Sequence, residues 1–108
     1  LADYVTRMYD LGQYFAEKIE NHPRFELATA PDGNIVCFRF RPESNQEINQ
    51  FNYAIRKTLL EEGAFYIVQT VVKSRAFLRI TVINKETTEV HLDKLLEAVE
   101  RVGLVLEV

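Results

Sequence analysis

Two runs rich in β-branched residues, Tyr66 to Val72 and Ala76 to Ile83, are separated only by Lys73-Ser74-Arg75. Runs of this length and composition joined by so short a polar link predict an antiparallel hairpin, although the link lacks the glycine usual in such turns. A three-residue loop pairs Val72 with Ala76 and sorts the side chains by the two-residue period of a strand. One face then carries Tyr66, Val68, Thr70, Val72, Ala76, Leu78, Ile80 and Val82, almost all apolar, and is expected to lie under helices. The other carries Ile67, Gln69, Val71, Phe77, Arg79 and Thr81, with Gln69 directly across from Arg79.

The flanking segments supply the helices. From Asp3 to about Glu20, Tyr4, Met8, Leu11, Phe15 and Ile19 recur at three- and four-residue steps, the stripe of an amphipathic helix that Asn21-His22-Pro23 should end. A second helix is expected from about Gln46 to Glu62, with Ile48, Phe51, Ile55 and Leu59 buried and Gly63 closing it. Thr88 is an N-cap for a third, carrying Leu92, Leu95, Leu96, Val99 and Val102 and ending before Gly103, with an extended piece from Leu104 to Val108. Short strands are predicted at Phe25 to Ala28 and Ile35 to Phe40, across the turn Pro31-Asp32-Gly33-Asn34. On the second of these Val36, Phe38 and Phe40 alternate with Cys37 and Arg39. The order predicts an α+β domain, a mostly antiparallel four-stranded sheet with helices on one face.

The face left over is the informative one. Apolar residues interleaved with Arg79 and other polar groups make it too apolar for ordinary solvated surface and too polar for core, so it is read as an interface to something else. Periodicity alone also admits Arg79 as a surface arginine paired with a nearby carboxylate.

Self-contained chemistry is not apparent. His22 and His91 have no metal-ligand spacing and no orienting partner in sequence, Cys37 sits in a strand as a buried, inert thiol, and the four glycines are scattered singly, so no phosphate loop exists. With 108 residues, one core is expected, and a formal charge of -3 gives no net pull toward nucleic acid or an anionic membrane. No apolar run approaches the ~20 residues that cross a bilayer. A cytoplasmic protein is expected, and the opening on Leu1 within a helix-like segment suggests a piece of a longer chain.

Four strings in order carry a resemblance: Asn34-Ile35-Val36-Cys37-Phe38-Arg39-Phe40-Arg41-Pro42, Asn49 through Leu60, Val68-Gln69-Thr70 with Phe77-Leu78-Arg79-Ile80-Thr81, and Asn84 to Leu96. Together they resemble the C-terminal small domain of the group II pyridoxal-phosphate-dependent amino-acid decarboxylases, over roughly Tyr4 to Gly103. The resemblance implies a parent carboxy-lyase, usually a homodimer, whose cofactor lysine lies in a Ser-x-His-Lys setting in an upstream domain. None of Lys18, Lys57, Lys73, Lys85 and Lys94 follows a histidine, so the family's cofactor anchor is not matched in this chain. It also implies that Arg79 meets a substrate carboxylate; Gln69, across from it in the expected hairpin, would orient it, and Arg39, Phe77, Ile67 and Val71 are expected to face the neighbouring domain. The helix over residues 3–20 would lead to that domain. The competing expectation is a free-standing ferredoxin-like ligand-binding or protein-interaction module.

Overall fold

The computed structural model describes residues 2–63, 65 and 67–108, leaving Tyr66 of the predicted hairpin outside the described residues. Among the described residues three helices, α1 (Ala2–Glu20), α2 (Ile48–Glu62) and α3 (Glu89–Leu106), alternate with four strands, β1 (Phe25–Leu27), β2 (Ile35–Phe40), β3 (Val68–Val72) and β4 (Arg75–Thr81). The strands form one sheet in the order β1-β2-β4-β3, antiparallel throughout. The expected α+β layering is thus the observed one.

Each helix buries most of the stripe its spacing predicts, the exceptions being Tyr4 at the start of α1, which is exposed, and Ile48 at the start of α2, which is half-buried. Met8, Leu11, Phe15 and Ile19 of α1, Phe51, Ile55 and Leu59 of α2, and Leu92, Leu95, Leu96, Val99 and Val102 of α3 join Phe25, Val36, Phe38, Phe40, Leu78 and Ile80 of the sheet in a single core. Aromatic edges organise its centre, with the rings of Phe15 and Phe38 at 5.4 Å and those of Phe25 and Phe40 at 5.3 Å, both near-perpendicular. Such pairs add about 0.5–1.5 kcal/mol each beyond their buried area.

The α2 helix ends at Gly63, whose φ of 74° is left-handed and lets its N–H reach the carbonyls of Leu59 and Leu60. Thr88 caps α3, accepting from the His91 N–H while His91 Nδ1 accepts from the Thr88 N–H.

Two asparagines of α2 close the far end of the sheet. The β2·β4 ladder is paired as far as Phe38 with Leu78, and the same register continued would set Phe40 against Ala76. Instead, Asn52, 1% exposed, accepts from the Phe40 N–H and donates to the Phe40 carbonyl, both at 2.9 Å. Asn49 Oδ1 accepts from the Ala76 N–H at 3.0 Å. Backbone groups left without a strand partner in the interior would each cost about 1–3 kcal/mol, and these side chains take that partner's place.

Two further sequence expectations fail. The third helix does not stop before Gly103 but runs to Leu106, so residues 104–106 are helical and not extended. Gly103 is there for closeness: a Cβ on it would lie 2.9 Å from ring carbons of Phe40. Beyond it, Arg24 Nη2 donates to Glu107 Oε2 at 2.6 Å and the Gln46 amide donates to the Leu106 carbonyl at 3.1 Å, fastening the helix end.

The second failure is the hairpin register. Val72 pairs with Arg75, not Ala76, around a two-residue turn in which Lys73 (φ 51°) and Ser74 (φ 66°) are both left-handed. Positive φ at both central positions is the signature of the turn whose twist matches that of the flanking strands. That match outweighs the roughly 1–2 kcal/mol that a side chain costs at each such position.

Replacing the unfavourable residue tests this balance: Ser74→Gly should stabilise the fold by about 1 kcal/mol, read as a higher urea midpoint with an unchanged slope.

Candidate functional site

The one-residue slip in register carries every β3 side chain to the opposite side of the sheet. Val68 stands beside Arg79, Gln69 beside Leu78, and Thr70 beside Phe77. Gln69 is therefore on the helix-covered side and cannot orient Arg79, contrary to the sequence expectation. Ile67 is fully buried in the core and Val71, 61% exposed, lies on the helix side at the sheet edge, so neither belongs to the open face. On β2 and β4 the alternation holds, with Cys37, Arg39, Phe77 and Arg79 together on the face that the helices leave open.

At one end of this face the cations already share a carboxylate. Arg39, 7% exposed, donates from Nε to Glu26 Oε1 at 2.7 Å, and the other Glu26 oxygen lies 3.7 Å from Arg75 Nη2. The Phe77 ring sits near both guanidiniums, its centroid 5.0 Å from Cζ of Arg39 and 5.7 Å from that of Arg75. A nearly buried guanidinium requires such a carboxylate, and the contact with the ring adds a cation–π attraction. Arg41 donates to the Pro23 carbonyl at 2.6 Å, which gives it a structural use. Glu26 was not singled out from sequence because its three-residue strand has no periodicity to read; its position opposite Arg39 follows only from the β1·β2 register.

Arg79 differs from all of these. Arg7, Arg24, Arg39, Arg41, Arg56, Arg75 and Arg101 each donate to or pair with a described residue. Arg79 does neither among the described residues, and it is exposed. Its register neighbours are Cys37 and Val68. It lines a shallow depression of about 230 Å³ with Ile35, Cys37, Thr70 and Val72 of the strands and with residues 28–30 and Asp32 of the β1–β2 loop. The Cys37 thiol is pushed above its ordinary value by burial, with the Arg79 charge acting in the opposite sense.

No group of three or more His, Cys, Asp or Glu side chains that could hold a metal ion occurs among the described residues. Among the described residues no helix is long and apolar enough to cross a membrane. His22 is tied to Glu100 at 3.1 Å and to the Arg24 N–H, and His91 to its helix cap, so both have structural uses.

Sequence and fold together set the chain beside the pyridoxal-phosphate-dependent amino-acid decarboxylases. It is 26% identical over 102 residues to the aromatic-L-amino-acid decarboxylase of Catharanthus roseus, covering 94% of this chain and 20% of that protein. It is 27% identical over 110 residues to the cysteine sulfinic acid decarboxylase of Rattus norvegicus, covering 92% and 22% respectively. Among solved structures, the glutamate decarboxylase domain of a diaminobutyrate-pyruvate transaminase and L-2,4-diaminobutyrate decarboxylase from Vibrio parahaemolyticus superposes with a TM-score of 0.88 at 24% identity, over 94% of this chain and 22% of that one. No family model matches the chain. The chain spans about a fifth of the length of the curated relatives it matches. The resemblance to the C-terminal small domain of the group II decarboxylases therefore holds in both sequence and fold. The free-standing module is not favoured.

The thiol beside Arg79 offers a direct probe of the site. A raised pKa means less thiolate at a given pH, so alkylation of Cys37 by iodoacetamide should reach its half-maximal rate at a higher pH than for a free cysteine. Removing the nearby cation in Arg79→Ala should move that midpoint higher still, as a rate-against-pH profile of the 108-residue chain would show.

Proposed function

We propose that this chain is the small domain of a pyridoxal-phosphate-dependent L-amino-acid decarboxylase, that its open sheet face closes one side of the active-site cleft, and that Arg79 receives the substrate carboxylate. The observation that carries this reading is Arg79 itself, an exposed guanidinium without a described partner on a face where the other two arginines share one carboxylate. A guanidinium fork makes two parallel charge-assisted bonds to a carboxylate and stays charged at any working pH. The relatives matched at about a fifth of their length act as decarboxylases by name, which supports a parent of the same class.

In this reading Arg39 and Phe77 form the rigid part of the face toward the upstream domain, and α1 leads toward that domain. The parent is a homodimer, as the resemblance implies, and cytoplasmic, as expected from the sequence.

The cofactor of such an enzyme, pyridoxal 5′-phosphate, is not accommodated by the described residues of this chain. Its anchor requires an enclosed lysine, whereas Lys57, Lys73, Lys85 and Lys94 are exposed and Lys18 is paired with Asp93 at 3.0 Å. The group belongs to the upstream domain. What this chain supplies is orientation of the substrate and exclusion of water from one side.

In the full-length enzyme, Arg79→Ala should lower kcat/KM by at least about a hundredfold, with Arg79→Lys recovering only part, while cofactor absorbance is unchanged. Near-normal turnover in a folded variant would sink the role. The 108 residues alone should release no CO₂ from any L-amino acid and show no lysine-linked cofactor absorbance; either signal would refute the assignment of the catalytic machinery to another domain.

A further inference from the structure

The depression that contains Arg79 holds a second charge of opposite sign. Asp32 lines it from the β1–β2 loop, and its backbone is fixed by reciprocal bonds to Ile35, the Asp32 N–H reaching the Ile35 carbonyl at 3.2 Å and the Ile35 N–H returning at 3.1 Å. Gly33, with φ of 64°, closes this turn and is covered by the Tyr9 ring, so the loop is seated against α1. The Asp32 side chain is exposed and takes part in no ion pair with a described residue.

Elsewhere on this face opposite charges have closed on one another, as Glu26 has with Arg39 and Arg75. Arg79 and Asp32 share one small depression without closing. Ile35 and Cys37 line it from β2, and Thr70 and Val72 from β3, with Arg79 on the strand between them. Two charges of opposite sign that share one depression, neither paired with a described residue, are complementary to a ligand that carries a carboxylate at one end and an ammonium at the other. A second carboxylate on the ligand would meet Asp32 with like charge, and an alkyl or aromatic end would leave Asp32 without a partner.

We infer that Asp32 is a specificity-determining residue, and that the amino acid taken at Arg79 is one whose side chain ends in an ammonium group bound by Asp32. This deepens the decarboxylase reading and rests on it.

The test compares kcat/KM of the full-length enzyme for L-amino acids bearing a terminal ammonium on two, three or four methylenes with that for the alkyl isostere of each. The wild type should favour at least one ammonium substrate over its isostere. Asp32→Asn should reduce that preference by about tenfold or more, the value of a hydrogen bond to a charged group, while changing turnover of the isostere less than about twofold. Asp32→Glu, which keeps the charge, should retain most of the preference. An unchanged preference in Asp32→Asn, an equal loss for both substrates, or turnover confined to acidic or aromatic amino acids overturns the inference while leaving the decarboxylase reading intact. Absence of decarboxylation with every amino acid overturns that reading, and this inference with it.

Discussion

The two left-handed residues Lys73 and Ser74 decide more of this molecule than their size suggests. A two-residue turn fixes Val72 against Arg75, and from that pairing it follows which side of the sheet each β3 side chain occupies. Ile67 goes into the core, while Val68, Thr70 and Val72 come to the open face beside Arg79 and Phe77. A three-residue loop would have put Gln69 across from Arg79 and given the guanidinium a polar neighbour in its own sheet. With the observed register its cross-strand neighbours are a thiol and a valine, neither of which satisfies its donors.

The rest of the architecture holds this face in place without drawing on it. The helices cover the other side, and the asparagines of α2 satisfy the Phe40 and Ala76 backbone where the β2·β4 ladder gives out. Glu26 holds Arg39 and Arg75 around Phe77. Arg79 and Asp32 both line the depression beyond them. Strand-end backbone groups that find side-chain partners, beside an open face whose Arg79 and Asp32 have no described partner, are the pattern expected where a site is shared with something outside the fold.

Much of the fold could be read directly. Helical stripes, the Thr88 cap and the Gly63 stop depend on contacts within a few residues, and apart from the first stripe positions Tyr4 and Ile48 each stands where spacing placed it. Gly103 misled because glycine has two uses, ending a helix and permitting close approach, and only the position of the Phe40 ring separates them. Glu26 and Asp32 were passed over for a related reason: an acidic residue in a short strand or turn is unremarkable until its cross-sheet neighbours are known.

The sequence by itself determined the class of fold, the helix-facing residues of β2 and β4, and the placement of Arg79 away from the core, because these follow from local periodicity and side-chain chemistry. Tertiary structure alone decided which residues surround Arg79. Strand register is set by the backbone twist of a turn and by long-range packing, and a shift of one residue changes no local propensity while exchanging the two faces of a strand. Arg79 was legible as a residue with an unusual position; that it stands without a described partner, in a depression shared with Asp32, required the fold.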